Sequence, residues 1–124
     1  GSFDIRLEPG VIMYCEWRTA GHPYKAGPRI HIKSDGTLFA SDRELLKAPA
    51  NEWIHVEITT ALGGESTGTF DVSVTVPGDD HVVAEGLSYG HGEFRYLQWL
   101  GFIADGNVDK AFYLDNVVLE KVEK

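Results

Sequence analysis

The 124-residue chain has little positive charge, a single cysteine and no long apolar run, and each deficit excludes a class of protein. Its 11 lysines and arginines are outnumbered by 19 aspartates and glutamates, which gives a formal net charge of −8. An acidic chain of this kind has no general attraction for nucleic acid or for an anionic membrane. The single cysteine, Cys15, excludes an internal disulfide. Because the chain is acidic, we expect no nucleic-acid binding. No apolar run is long enough to cross a bilayer, so we expect no membrane insertion either.

Helical periodicity is also missing, whereas apolar and polar residues alternate in almost every segment. The stretches "FDIRLE" (3–8) and "VIMYCEWR" (11–18) alternate in this way, and "SDGT" (34–37) contains the Asp-Gly pair typical of a tight hairpin turn. About nine short strands separated by turn residues predict an all-β fold, an antiparallel two-sheet β-sandwich of the jelly-roll kind. Helix is expected only as one short turn within 42–48.

The length fits a single sandwich domain over 3–124. Gly1 and Ser2 are predicted to be a cloning scar, and Phe3 begins in the middle of an alternating pattern. We therefore expect a domain excised from a larger protein, with one sheet lacking a strand. An edge strand without its natural neighbour is expected to pair with a second copy.

The stretch "WRTAGHPYKAGPRIHIK" (17–33) gathers four of the 11 fixed positive charges and two of the five histidines, and it contains no carboxylate. If Met13 and Ile30 face the core, the alternate residues of these two strands face away from it. We predict a ligand-binding site on that outward face, formed by Tyr14, Glu16, Arg18, Tyr24, Arg29 and His31. Aromatic rings stack on the C–H faces of sugars, and arginine recognises a carboxylate or sulfate with paired hydrogen bonds. The alternative is a solvated face that balances acids elsewhere.

Four stretches resemble the concanavalin A-like or laminin-G-like jelly rolls, namely "NEWIHVEI" (51–58), "TGTFDVSVTVPG" (67–78), "LQWLGF" (97–102) and "FYLDNVVLEK" (112–121). Such domains include carbohydrate-binding modules, modules of secreted polysaccharide-degrading enzymes, and some lyases and hydrolases. The resemblance implies an extracellular or periplasmic location and a ligand that lies across one curved sheet or at its rim.

The three tryptophans have different predicted positions. Trp17 shares the phase of the core residues of its strand. Trp53 is out of phase with Ile54, so it is either a sugar platform or, as the resemblance favours, a residue that closes the core. Trp99 has apolar neighbours on both faces, which leaves burial between the sheets and exposure equally open; an exposed Trp99 would be a further candidate ligand-binding residue.

No metal or cofactor is expected to be required. The histidines lack the spacing of zinc ligands, and no second cysteine supports them. The run "DGNVD" (105–109) begins like a calcium loop, but Lys110 and Asn116 replace the glycine and glutamate that such a loop needs. A hairpin turn explains the run equally well. If calcium does bind, the predicted ligands are Asp105, Asn107, Asp109 and Asp115.

Enzymatic activity is not expected either. A retaining glycosidase needs two carboxylates about 5 Å apart, and no run of the sequence supplies such a pair. A polysaccharide lyase needs a tyrosine or histidine base and cations that neutralise a uronate carboxylate. The stretch "YKAG" (24–27), Arg29 and His31 resemble those elements of the alginate-lyase jelly rolls only in part, because their order and number differ.

Together these patterns predict a noncatalytic carbohydrate-binding or accessory module. Its expected partners are a glycan, specifically an acidic oligo- or polysaccharide, and other domains of its parent protein. A structural sandwich that packs against a neighbouring catalytic domain is the alternative, and a polysaccharide lyase is the third hypothesis.

Overall fold

Ten strands form two antiparallel five-stranded sheets in the computed structural model, which describes residues 1–21, 23–78, 81–91, 93–105 and 110–120. Sheet A has the strand order β10-β1-β6-β7-β8, and sheet B has the order β5-β4-β3-β2-β9. The predicted all-β, two-sheet architecture is confirmed. The strands are β1 (Ser2–Leu7), β2 (Ile12–Arg18), β3 (Ala26–Ile32), β4 (Thr37–Ala40), β5 (Arg43–Lys47), β6 (Trp53–Thr60), β7 (Thr69–Thr75), β8 (His81–Ser88), β9 (Trp99–Asp105) and β10 (Phe112–Val118).

Alternation places every second residue of most strands in one core between the two sheets. Phe3 and Ile5 of β1 are buried in this way, and so are Cys15 and Trp17 of β2, as the sequence predicted. Burial raises the pKa of the Cys15 thiol to about 12. A thiolate nucleophile at this position is therefore excluded near neutral pH.

The helical turn predicted within 42–48 is wrong, because this segment forms strand β5 at the edge of sheet B. Leu46 pairs with Leu38 of β4, and a bulge at Leu45 lets both adjacent leucines of β5 pack against the core. In the described part of the chain, the only helical segment is the 3-10 turn Gly63–Glu65. No helix within those residues is long and apolar enough to cross a membrane.

The hairpin predicted at "SDGT" is present between β3 and β4. Gly36 has a φ of 89°, a conformation that glycine adopts without steric cost, and its N–H donates to the Lys33 carbonyl. The Asp35 carboxylate accepts a hydrogen bond from the Thr37 N–H at 2.9 Å. The turn therefore fixes the position of Lys33, which directly follows β3.

Strand β1 lies inside sheet A, between β10 and β6. Gly1 continues this pairing, because it exchanges two main-chain hydrogen bonds with Ile58. The edge strands are β10 and β8 in sheet A, and β5 and β9 in sheet B. Pairing of an edge strand with a second copy stays a prediction.

Candidate functional site

The outer face of β3, β2 and β9 brings most of the predicted ligand-binding residues together. Tyr14 lies directly opposite His31, and Glu16 lies opposite Arg29, because β2 and β3 pair in that register. Across the other edge of β2, Arg18 lies opposite Trp99. We call this surface the arginine face; its residues are Tyr14, Glu16, Arg18, Arg29, His31 and Trp99, with Tyr24 from the β2–β3 loop.

Glu16 is the structural centre of the arginine face. It is only 6% exposed, and its carboxylate accepts hydrogen bonds from Arg18, at 3.0 Å to Nε and 2.5 Å to Nη2. The other carboxylate oxygen lies 3.3 Å from Nε of Arg29. The sequence predicted that Glu16 hydrogen-bonds a ligand, but its position beneath two arginines makes it a group that orients them.

Arg18 lies between two aromatic rings. Its guanidinium carbon is 4.0 Å from the centre of the Tyr24 ring and 4.2 Å from that of Trp99. The arginine side chain is only 15% exposed, whereas Tyr24 and Trp99 are each 41% exposed. Because cation–π contacts are directional, the buried arginine holds both rings in place while their outer surfaces stay in solvent. The exposed interpretation of Trp99 is therefore correct.

Gly101, which makes room for the Trp99 ring, was not predicted from the sequence. Gly101 lies opposite Glu16, two residues after Trp99 on the same face of β9. A Cβ atom built at Gly101 would overlap the six-membered ring of the Trp99 indole. The signal that could have revealed this is the spacing Trp-Leu-Gly, because residues two apart on a strand share a face.

Arg29 is the more accessible of the two arginines of this face, with 44% of its side chain exposed against 15% for Arg18. Its guanidinium carbon lies 5.3 Å from the centre of the Tyr14 ring. The Tyr14 and His31 rings are in edge-to-face contact with centres 6.1 Å apart. Beyond them, the Lys33 ammonium lies 4.6 Å from the centre of the Phe39 ring, so the row of cations and aromatic rings extends onto β4.

The β2–β3 loop and the segment before β9 are hydrogen-bonded at the end of the arginine face that carries Tyr24 and Trp99. The Thr19 N–H donates to the Lys25 carbonyl, and the Lys25 N–H donates to the Thr19 hydroxyl, which closes the loop that carries Tyr24. The Lys25 ammonium forms an ion pair with Glu93, so its charge is partly neutralised. Gln98, just before Trp99, donates its N–H to the Arg18 carbonyl and accepts from the Ala20 N–H.

Phe94 anchors the segment that leads into Trp99. The side chain is fully buried, in edge-to-face contact with Tyr89 at 5.2 Å between ring centres. It lies over Gly27 of β3, where a Cβ atom would overlap the phenyl ring. The position of Trp99 on the arginine face therefore depends on a core contact made by the preceding loop.

Trp53, for which the sequence left open a sugar platform or a residue that closes the core, does not belong to the arginine face. It lies on the outer face of sheet A, is 45% exposed, and pairs with Arg6 of β1. The interpretation that Trp53 closes the core is therefore wrong. Its phase relative to Ile54 already indicated the outer face.

Beside Trp53, a hydrogen-bonded network crosses three strands of sheet A. Nδ1 of His55 is 2.6 Å from an Asp4 carboxylate oxygen, and Nε2 of His55 is 3.2 Å from Glu57. The other Asp4 oxygen accepts a hydrogen bond from the Asn116 side chain at 2.6 Å. The network links β6, β1 and β10.

This network is expected to make stability depend on pH. The hydrogen bond with Asp4 is the main cause that raises the pKa of His55, and the hydrogen bonds from Asn116 and His55 lower the pKa of Asp4. A raised histidine pKa stabilises the fold below the ordinary value of 6.5, and this contribution is lost as the pH rises through the folded-state pKa. A lowered aspartate pKa stabilises the fold above 3.8, and this contribution is lost as the pH falls. The joint contribution is therefore largest between about pH 4 and pH 6.5.

Asp4→Asn is expected to lower the free energy of unfolding by on the order of 0.5 kcal/mol near pH 5.5, and by less above about pH 8; the effect is small because both side chains are partly exposed to solvent. Urea unfolding at the two pH values measures this difference. Glu85→Gln, which removes a carboxylate from β8, three strands away from β1 in the same sheet, is the matched control. An equal loss at both pH values in Asp4→Asn would contradict the expected coupling to His55.

The predicted calcium ligands lie mostly outside the described residues. This applies to Asn107, to Asp109 and to the side chain of Asp105. The Asp115 carboxylate accepts a hydrogen bond from the N–H of Asn116 at 2.8 Å. Within the described ranges, no group of three or more histidine, cysteine, aspartate or glutamate side chains is placed to hold a metal ion.

The two-sheet architecture agrees with the one that the resemblance to concanavalin A-like jelly rolls implies, but membership of that family stays a prediction. Sandwiches of this kind host many unrelated functions, so function has to be argued from the arginine face itself. Comparisons with known protein families, curated proteins and solved structures find no match to this chain.

Proposed function

We propose that the chain is a noncatalytic glycan-binding domain that holds an acidic oligosaccharide on the arginine face. The observation that carries this proposal is the arrangement around Glu16. Its buried carboxylate orients two arginines, of which Arg18 holds the exposed rings of Tyr24 and Trp99 while Arg29 remains accessible. Exposed rings beside a positioned guanidinium are the groups that a charged sugar needs.

Each part of the face has a distinct chemical role in this proposal. The rings of Tyr24 and Trp99 stack on the C–H faces of sugar rings, which needs flat aromatic surface in solvent. The contact of Arg29 with Glu16 uses Nε, and the two terminal nitrogens of a guanidinium can donate a pair of hydrogen bonds to a uronate carboxylate or a sulfate. His31 and Tyr14 lie beside Arg29 and supply further hydrogen-bonding groups.

The charge of the whole domain favours a short, specific anion over a long polyanion. The net charge of −8 repels polyanions from most of the surface, whereas Arg18 and Arg29, with Lys33 beyond the end of β3, make the region of the arginine face locally positive. Glu16 neutralises one of these charges and leaves an excess of cations. Binding is therefore expected to be local and selective for acidic sugars.

Arg29→Ala is expected to lower the affinity for a uronate oligosaccharide about thirtyfold, because loss of a hydrogen bond to a charged group costs about 2 kcal/mol. Added salt should weaken binding by the unchanged protein, since it screens exposed charges. Isothermal titration calorimetry with matched neutral and acidic oligosaccharides measures both effects. Arg43→Ala is the matched control, because it removes the same charge from β5, the far edge of the same sheet.

Two results would overturn the proposal. Equal affinity for neutral and acidic sugars, without salt dependence, would show that the cations of this face are merely solvated and do not recognise the ligand. The absence of binding to any glycan would favour the structural alternative, a sandwich that packs against a neighbouring catalytic domain of its parent protein.

A second candidate, a polysaccharide lyase, rests on the contact between Tyr14 and His31 beside Arg29. In a β-elimination, a base removes the proton next to the uronate carboxylate, a cation stabilises the resulting charge, and the glycosidic oxygen leaves with a proton. The products are a shortened chain and an unsaturated sugar. Incubation with polyuronates and detection of the unsaturated product by ultraviolet absorbance distinguishes this activity from binding alone.

A further inference from the structure

The outer face of sheet A carries a second pair of exposed aromatic rings around an arginine. Arg6 of β1 pairs with Trp53 on one side and with Tyr113 on the other. Its guanidinium carbon lies 4.6 Å from the centre of the Tyr113 ring and 5.8 Å from that of Trp53. Trp53 is 45% and Tyr113 41% exposed, so both rings present surface to solvent. The Tyr113 hydroxyl donates to Glu8 at 3.2 Å, which helps to fix its ring.

Unlike the arginine face, this surface is dominated by carboxylates. Strand alternation and register place the side chains of Asp4, Arg6, Trp53, His55, Glu57, Asp71, Glu85, Tyr113 and Asp115 on it. We call it the acidic face. Five of these residues are carboxylic acids, and only one is an arginine, so the outer faces of the two sheets differ in charge.

The acidic face also has a depression that is separate from the two rings. The depression has a volume of about 170 Å³ and lies over β6, β7 and β8, where it is lined by Glu57, Thr59, Asp71, Ser73, Val83 and Glu85. Glu57 follows Trp53 by four residues on β6, which at about 3.4 Å per residue separates them by roughly 14 Å. An extended molecule can therefore contact both the rings of Trp53 and Tyr113 and the depression, whereas a single small ion cannot.

We propose that the acidic face binds a glycan whose sugars carry protonated amino groups. Trp53 and Tyr113 stack on the C–H faces of the sugar rings, while Glu57, Asp71 and Glu85 pair with ammonium groups further along the chain. The hydroxyls of Thr59 and Ser73 accept from or donate to sugar hydroxyls in the depression. The negative charge of the face disfavours uronates, so this site is independent of the proposed function of the arginine face.

The combination of features argues for an amino sugar over other cations. Carboxylates alone would attract any polyamine or lysine-rich peptide, but neither ligand needs two flat rings held about an arginine. A neutral sugar would use the rings but would gain little from five carboxylates. Only a ligand with both ring faces and positive charges uses the whole surface.

The test is calorimetry with a glucosamine hexasaccharide, its N-acetylated counterpart and an oligolysine of equal charge. The glucosamine chain is expected to bind at least about tenfold more tightly than either comparison ligand. Trp53→Ala should weaken this binding about tenfold through loss of stacking, and Glu57→Gln should weaken it and reduce its salt dependence. Tyr96→Ala removes an exposed ring outside both faces, and Glu44→Gln removes a carboxylate from sheet B; both should leave the affinity unchanged.

Equal affinity for the acetylated chain would overturn the assignment of ammonium groups. Equal affinity for oligolysine, with no effect of Trp53→Ala, would show that binding to this face is due to nonspecific charge attraction alone. The absence of binding to the glucosamine chain would also overturn the proposal, whatever the result with uronates. Conversely, glucosamine binding without uronate binding would sink the proposed function of the arginine face alone.

Discussion

Phe94→Ala is expected to lower the free energy of unfolding by about 3–5 kcal/mol, the range seen when a fully buried phenyl ring is removed. Phe94 has no exposed surface, contacts Tyr89 edge to face, and covers Gly27 in β3. Its removal leaves a cavity where the segment before β9 is attached to sheet B. Urea unfolding followed by tryptophan fluorescence measures the change.

Tyr96→Ala is the matched control, because Tyr96 lies in the same segment but is 65% exposed. Its effect is expected to stay within about 0.5 kcal/mol. A loss below about 1 kcal/mol in Phe94→Ala would show that the segment is held by other contacts, such as the hydrogen bond from the His91 N–H to the Ala26 carbonyl. In that case the position of Trp99 would not depend on the Phe94 anchor.

The sequence predicted the strands where alternation was regular and failed where local geometry interrupts it. Segment 3–8 and segment 69–76 alternate cleanly, and their inward residues are the ones found in the core. Strand β5 was missed because the bulge at Leu45 places two adjacent leucines against the core, which a strict period of two does not allow. Phe94 was missed because it follows a glycine-rich stretch without any alternation.

The candidate site was predictable on one strand pair and not beyond it. The outward direction of Tyr14, Arg29 and His31 follows from their buried neighbours, and β2 pairs with β3 across a short connection. The pairing of Arg18 with Trp99 joins segments far apart in the chain, so no local pattern could show it. The pattern of charges also could not show that Glu16 is buried beneath Arg18 and Arg29. Glu16 lies just before segment 17–33, which contains both arginines and no carboxylate.

Glu16→Gln is expected to lower the free energy of unfolding by about 3 kcal/mol, because it removes the charge that compensates a largely buried guanidinium. Arg18 is only 15% exposed and has its strongest polar contacts with Glu16, so the variant leaves a cation between two rings without its carboxylate. Arg29→Ala should cost far less, since its side chain is 44% exposed. Chemical unfolding of the three proteins measures this order.

A double-mutant cycle separates the ion pair from the loss of a buried group. Arg18→Met removes the charge but keeps an apolar side chain near Tyr24 and Trp99, and a buried ion pair can be replaced by such residues at little cost. The double variant Glu16→Gln with Arg18→Met is therefore expected to be more stable than Glu16→Gln alone. Strictly additive effects would mean that the two side chains do not stabilise each other, despite their contact.

The same Glu16→Gln variant gives the sharpest test of how the arginine face recognises an acidic sugar. If recognition depended on net charge alone, loss of this carboxylate would raise the affinity for a uronate oligosaccharide. If recognition depends on arginines and rings held in fixed geometry, the affinity should fall by about tenfold, although the face becomes more positive. Without Glu16 the arginine side chains are no longer held before binding, so the entropy lost in ordering them reduces the binding free energy. Calorimetry at two salt concentrations gives the sign of the change. Tighter binding by the variant would reject the role of Glu16 as the orienting group and leave Arg29 to act as a mobile cation.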